Sequence, residues 1–209
     1  MAVAFRAGVP PAEFASWLEG LRWPKMARPS RPGHLGLFSL SPMADRLEQL
    51  IGRPSFDDLS GPLAVVSTDL VSGRRVVLTE GDVIEAVHAS SAVPGLFTPV
   101  HRDGMVLVDG GLVDNYPVSV PRGLGAEIVI GVDIGSEPHP RPPSNLLEVL
   151  VAAAEVRSVS TGVRDLADIH IVPRVREFSS FDFESMPEMY DRGRAAAHEA
   201  LPAIERLIG

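Results

Sequence analysis

Asp109 closes the apolar run Val106-Leu107-Val108 and stands before Gly110-Gly111, the only Gly-Gly pair in the chain. A carboxylate at the carboxyl end of a buried strand lies where ligands bind in open α/β sheets. There it can contact a ligand or act in catalysis, while the two glycines let the backbone turn sharply and approach a neighbour closely. The same residues also read as an ordinary strand-ending turn, because Asp-Gly is a common turn dipeptide. Asp114 lies close enough to raise the idea of paired carboxylates; a surface turn or a bond to nearby backbone is the more economical reading.

Few other side chains compete. There is no cysteine, which excludes a thiol nucleophile, a disulfide scaffold and a cysteine-ligated zinc site. The six histidines are scattered, with no His-x-x-x-His pair. His88 reads more readily as a packed or exposed ring than as a pocket residue. Ser90 and Ser91 lack flanking elbow glycines; short hydroxyls often bond nearby backbone, so both read as capping or pocket-wall residues. Asp69 and Asp182 read as structural anchors.

The elements around these residues must position them. Residues 1–8 form an apolar stretch stopped by Gly8, which is how a helix ends. A new helix starts at Pro11, a first-turn residue, with Phe14, Trp17, Leu18 and Leu21 at helical spacing. Trp17, Trp23 and Phe14 fit either the core or the border of a pocket entrance. Residues 24–36, with three prolines and several basic residues, read as a surface loop. Its charges from Lys25 to Arg31 suit solvent or anionic lipid headgroups. A short helix over 44–51 and a connector over 53–61 precede strands at 63–68 and 75–78, joined through Ser72-Gly73. Asp82 and Glu85 are spaced as a capping box for the helix carrying Val83, Ile84 and Val87. Asp103-Gly104 is a hairpin signal between His101-Arg102 and a strand at 105–108. Strands at 127–132 and 169–172 and helices over 146–166 and 186–208 complete the reading. Strands alternating with helices predict an α/β layered fold with a largely parallel sheet.

Composition bounds the rest. A chain of 209 residues suits one domain, here 1–209. A net charge of −8 argues against nucleic acid as the main partner. The longest uninterrupted apolar run, 149–154, is too short to cross a bilayer, and no basic-then-apolar leader pattern opens the sequence.

Two blocks surround the aspartate: Ala89-Ser90-Ser91-Ala92-Val93-Pro94-Gly95 and Asp109-Gly110-Gly111-Leu112-Val113-Asp114-Asn115. Ser67-Thr68-Asp69 lies upstream, Tyr116-Pro117-Val118 follows, and Phe178-Ser179-Ser180-Phe181-Asp182-Phe183 comes near the C-terminus. Together these resemble the patatin-like phospholipase family in its bacterial branch, over roughly residues 8–197. The resemblance implies a three-layer patatin-like α/β fold with a mainly parallel central sheet. It implies a serine hydrolase of lipid or other carboxylic ester acyl groups, working through a Ser–Asp dyad without metal or organic cofactor. In that family the serine sits in a Gly-x-Ser-x-Gly elbow, a glycine-rich loop holds the oxyanion, and the aspartate of Asp-Gly-Gly takes the serine proton. Carried over by motif, Asp109 is that base, and Gly110 and Gly111 complete the motif. The implied partner is a lipid or ester substrate and not nucleic acid, at a cytoplasmic location that leaves room for peripheral membrane contact.

One departure decides how far this carries. The sequence has no Gly-x-Ser-x-Gly and no glycine-rich oxyanion loop. Ser158-Val159-Ser160-Thr161-Gly162 comes nearest, but it lacks the leading glycine and follows the aspartate. The expectation is that residues 1–8 end the helix that leaves the elbow. The chain then lacks the N-terminal strands, the oxyanion loop and the nucleophile, through an internal start or a truncated gene. Such an incomplete sheet invites self-association. The alternative to a hydrolase is a non-catalytic lipid-binding or interaction module that keeps the shape of the site.

Overall fold

The computed structural model describes residues 2–33, 35–134, 142, 149, 152, 166–178 and 182–209. They fall into two compact units, one reaching Asp114 and the other beginning at Asn115.

In the first unit, α1 (Ala2–Arg6) ends as its sequence predicts. Gly8 takes φ +84°, and the N–H groups of Val9 and Gly8 donate to the carbonyls of Ala4 and Phe5 at 2.9 and 3.0 Å. That paired closure satisfies carbonyls a helix end leaves open and carries Val9 into one buried cluster with Ala4 and Phe14. α2 (Pro11–Glu19) follows, and Phe14 stacks on Trp17 with ring centroids 5.5 Å apart, which favours the core reading for both. Residues 24–36 are more than a loop. They hold part of α3 (Trp23–Met26), β1 (Arg28–Pro29) and the start of β2 (Gly36–Ser39). Pro29 is accommodated because β1 is an edge strand, where a missing N–H is tolerated. After α4 (Ser41–Ile51), the connector contains a 3₁₀ turn, Phe56–Asp58, whose capping box joins Ser55 to Asp58 and sends Phe56 into the core.

The sheet that carries Asp109 has the order β4-β3-β7-β6. Its strands are β3 (Val65–Asp69), β4 (Arg74–Leu78), β6 (Val100–Arg102) and β7 (Met105–Asp109). The helices and strands of an α/β fold are present as expected. Parallel pairing, however, is confined among the described strands to β2 with β5 (Gly95–Phe97) and to β8 (Ile130–Val132) with β9 (Ile169–Ile171) in the second unit. Every pair in the four-stranded sheet is antiparallel. Short connections explain this for β3 with β4 and for β6 with β7, since a parallel pair needs a crossover of a dozen residues or so; β3 and β7 meet across a much longer stretch of chain. Asp103 and Gly104 both take positive φ, +50° and +78°, the primed-turn geometry that matches strand twist.

α5 (Val83–Ser90) covers this sheet and starts at Asp82, whose carboxylate accepts the Glu85 N–H at 3.0 Å. Val83, Ala86 and Ala89 of α5 pack with Val3, Phe56, Leu78 and Leu107 as the core. Burying each large aliphatic side chain there contributes about 1.5–3 kcal/mol. Strand alternation puts Val65, Ser67 and Asp69 on one face, and register adds their partners Leu78 and Leu107.

The second unit holds α6 (Ser119–Gly123), β8 (Ile130–Val132), β9 (Ile169–Ile171) and α7 (Met186–Ile208). The Asp168 carboxylate accepts the Val129 N–H at 2.7 Å and pairs with Arg122 at 2.5 Å, fixing the approach to β8 and β9. Asp182 accepts from the Ser185 hydroxyl and N–H, which hold its carboxyl below the ordinary value, so it anchors the start of α7 as its sequence suggests. The predicted helix over 146–166 and Ser179, Ser180 and Phe181 lie wholly or largely outside the described residues. No described helix is long and apolar enough to cross a membrane.

Candidate active site around Asp109

β7 delivers Asp109 to the end of a buried strand, as the apolar run ahead of it predicts. Three bonds then fix its backbone and side chain. Its N–H donates to the Ala92 carbonyl at 2.9 Å, so the Ala-Ser-Ser-Ala and Asp-Gly-Gly blocks meet in space. Its carbonyl accepts the Thr68 hydroxyl at 2.8 Å. Its Oδ1 accepts the Gly111 N–H at 2.7 Å and caps the 3₁₀ turn Gly110–Leu112. Gly110 is forced by packing: a Cβ there would lie 2.2 Å from the Val66 carbonyl oxygen. The two glycines therefore have separate tasks, one close approach to β3 and one N–H aimed at the carboxylate.

Asp109 is half-buried, and burial pushes its carboxyl above the ordinary value, countered only in part by the Gly111 N–H. A stronger base is better matched to proton transfer near neutral pH. The shift also affects stability. Above the ordinary 3.8 the folded protein holds this proton more tightly than the unfolded chain. Stability is therefore lost as pH rises through that window, up to the raised native value. Thermal melts of the wild type and Asp109→Asn should converge in acid and separate at neutral pH, with the Asn variant melting higher. Parallel melting curves from acid to neutral pH would contradict this account.

The sequence reading missed Ser67. Register sets it directly opposite Asp109, on the face covered by α5. Ser67 is fully buried, and its hydroxyl has no hydrogen-bond partner among the described residues. The available signal was a Ser-Thr pair interrupting an apolar strand. An unsatisfied buried hydroxyl costs about 1–3 kcal/mol. Ser67→Ala is therefore expected to raise the melting temperature by about 2–12 °C, and a fall would show that the hydroxyl is satisfied.

The other candidates separate cleanly. Asp114 is buried and pairs with Arg75 at 2.5 Å, so the surface-turn reading is corrected and it makes no pair with Asp109. A charge taken from water needs such a partner. Asp69 accepts from the Val71, Ser72 and Val106 N–H groups and the Ser72 hydroxyl, tying the β3–β4 hairpin to β7. His88 lies on α5 with Nε2 buried and without a partner among the described residues; burial lowers its pKa and keeps the ring neutral. Ser90 ends α5 and Ser91 caps it. Among the described residues no group of three or more potential ligands is arranged to hold a metal ion.

Residues 2–121 match the family described as patatin-like phospholipase. An uncharacterized NTE family protein of Mycobacterium tuberculosis is 32% identical over 131 residues, covering 61% of this chain and 36% of that protein. A second from the same organism is 28% identical over 199 residues, covering 78% and 33%. A lysophospholipase of Yarrowia lipolytica is 29% identical over 168 residues, covering 66% of this chain and 12% of that protein. The chain thus spans about a third of the length of the two mycobacterial relatives.

Proposed function

Because the chain belongs to the patatin-like phospholipase family, we propose that it supplies the proton-accepting half of a Ser–Asp dyad that hydrolyses lipid acyl esters. Residues 1–209 are then part of one patatin-like domain, and its elbow serine and oxyanion loop come from residues not in this sequence. Asp109 takes the proton as the serine oxygen bonds to the ester carbonyl carbon. The departing alcohol carries that proton away and leaves an acyl-enzyme. Water then attacks the acyl carbonyl carbon and gives a proton to Asp109, which passes it to the serine oxygen as the acyl–serine bond breaks and the free acid departs. No metal or organic cofactor enters these steps. The observation that carries the proposal is the half-buried Asp109 carboxyl, held by the Gly111 N–H in a backbone tied to Ala92 and Thr68. The name of the Yarrowia relative supports a phospholipid ester as substrate.

The test joins an N-terminal segment from a patatin-like relative, carrying its glycine-rich loop and Gly-x-Ser-x-Gly elbow, ahead of Ala2. Turnover of a short p-nitrophenyl ester and fluorophosphonate labelling of the elbow serine are expected, and the 209-residue chain alone should show neither. A folded joined protein that neither turns over ester nor labels overturns the proposal and favours the non-catalytic lipid-binding module. Turnover by the 209-residue chain itself would overturn the need for an external serine.

A further inference from the structure

The segment from α3 through β2 differs in charge from the rest of the protein. Residues 20–44 contain no Asp or Glu but hold Arg22, Lys25, Arg28 and Arg31, within a chain of net charge −8. All four are exposed. Arg22 donates to the Glu19 and Leu21 carbonyls and Lys25 reaches the Gly20 carbonyl, which gathers two of the charges at the end of α2. Neither Arg28 nor Arg31 has an acidic partner among the described residues. Leu35 and Leu37 of the same segment are 65% and 58% exposed. Pairing of Arg28 with Ser39 and the bond from the Ser30 N–H to the Leu37 carbonyl put Arg28 and Leu37 on one face of the hairpin. The hairpin has a firm base. β2 pairs with β5, and a Cβ on Gly36 would lie 2.3 Å from the Phe97 carbonyl carbon.

We propose that this hairpin docks the protein on an anionic lipid bilayer, with Leu35 and Leu37 entering the headgroup boundary and the four basic residues meeting lipid phosphates. The inference rests on the lipid-ester reading above and names the surface that brings the site to its substrate. Single exposed leucines are ordinary. Two of them in one segment with four cations, on an otherwise acidic protein, combine the apolar and electrostatic signals that stable interfacial binding requires. A nucleic acid would use the cations and leave the leucines without a role.

Co-sedimentation of the 209-residue chain with phosphatidylcholine vesicles, with and without phosphatidylserine, tests this. Binding is expected only with phosphatidylserine and should weaken as salt is added. Arg28→Gln/Arg31→Gln should lower it about 25-fold, at about fivefold per basic residue. Leu35→Ser/Leu37→Ser should lower it at least about tenfold. Arg74→Gln/Arg194→Gln removes the same charge from exposed positions elsewhere and should leave binding unchanged. Circular dichroism checks that each variant is folded. Equal binding to both vesicle types, equal loss in the Arg74/Arg194 control, or binding to an oligonucleotide but not to vesicles would overturn the proposal. Sedimentation needs no catalysis, so the two readings fail separately. Vesicle binding without turnover in the elbow-joined protein removes the hydrolase alone, and turnover without vesicle binding removes the docking surface alone.

Discussion

Replacing Asp109 by Asn in the elbow-joined protein should lower kcat by about 10²–10⁴, the contribution of a positioned general base. Asparagine keeps the size of the side chain and an Oδ1 that can still accept the Gly111 N–H, now 2.7 Å away. It cannot take up a proton at neutral pH. The backbone ties to Ala92 and Thr68 do not involve the carboxylate and should survive. Substrate binding, and so KM, should change little, because the base acts in the transition state. Stability separates a chemical loss from a structural one. Removing a half-buried charge should leave the variant as stable as the wild type or more so at neutral pH. Low turnover with an unchanged or raised melting temperature is the expected pair of results. Full turnover would place the base elsewhere.

Gly110→Ala should have the largest effect on folding. The added methyl would sit 2.2 Å from the Val66 carbonyl oxygen and 2.7 Å from its carbon, both backbone atoms of β3, between β4 and β7. Neither can rotate away, so the strand must shift. Overpacking of this kind costs about 1–3 kcal/mol, and backbone contact belongs at the upper end. For a chain of this size that corresponds to a fall in melting temperature of about 5–10 °C. Gly123→Ala is the matched control, since a Cβ there meets nothing within 4 Å, and it should melt close to the wild type. If both variants melt alike, the close approach at Gly110 is not holding the turn.

What the sequence disclosed follows from the range of each interaction. Asp109 at a strand end, the turn at Asp103-Gly104, the cap at Asp82 and the helix over 186–208 are all encoded within a few residues, and the structure has each of them. β1 and β5 were hidden because they are short and flanked by proline and glycine, which signal turns. The antiparallel order of the central strands is set by pairing partners that periodicity does not name. Asp114 looked like a surface residue because its partner, Arg75, lies 39 residues away. Ser67 was invisible for the same reason: only strand register brings it opposite Asp109. The position of Asp109 at its strand end was therefore local and legible, and the surroundings that raise its pKa were not.

The seam between β3 and β7 has a consequence for how the molecule assembles. Each flanking hairpin closes over a few residues, while the seam brings together Thr68 and Asp109, 41 positions apart. Short ribbons zip within about 1–10 μs, whereas joining them must first overcome the entropy of a long loop. Asp109 then reaches its native position in a late step. Until that step, the valine-rich edges of both ribbons are open to pairing between chains. Dilute, cool refolding should accordingly recover more native protein than concentrated, warm refolding.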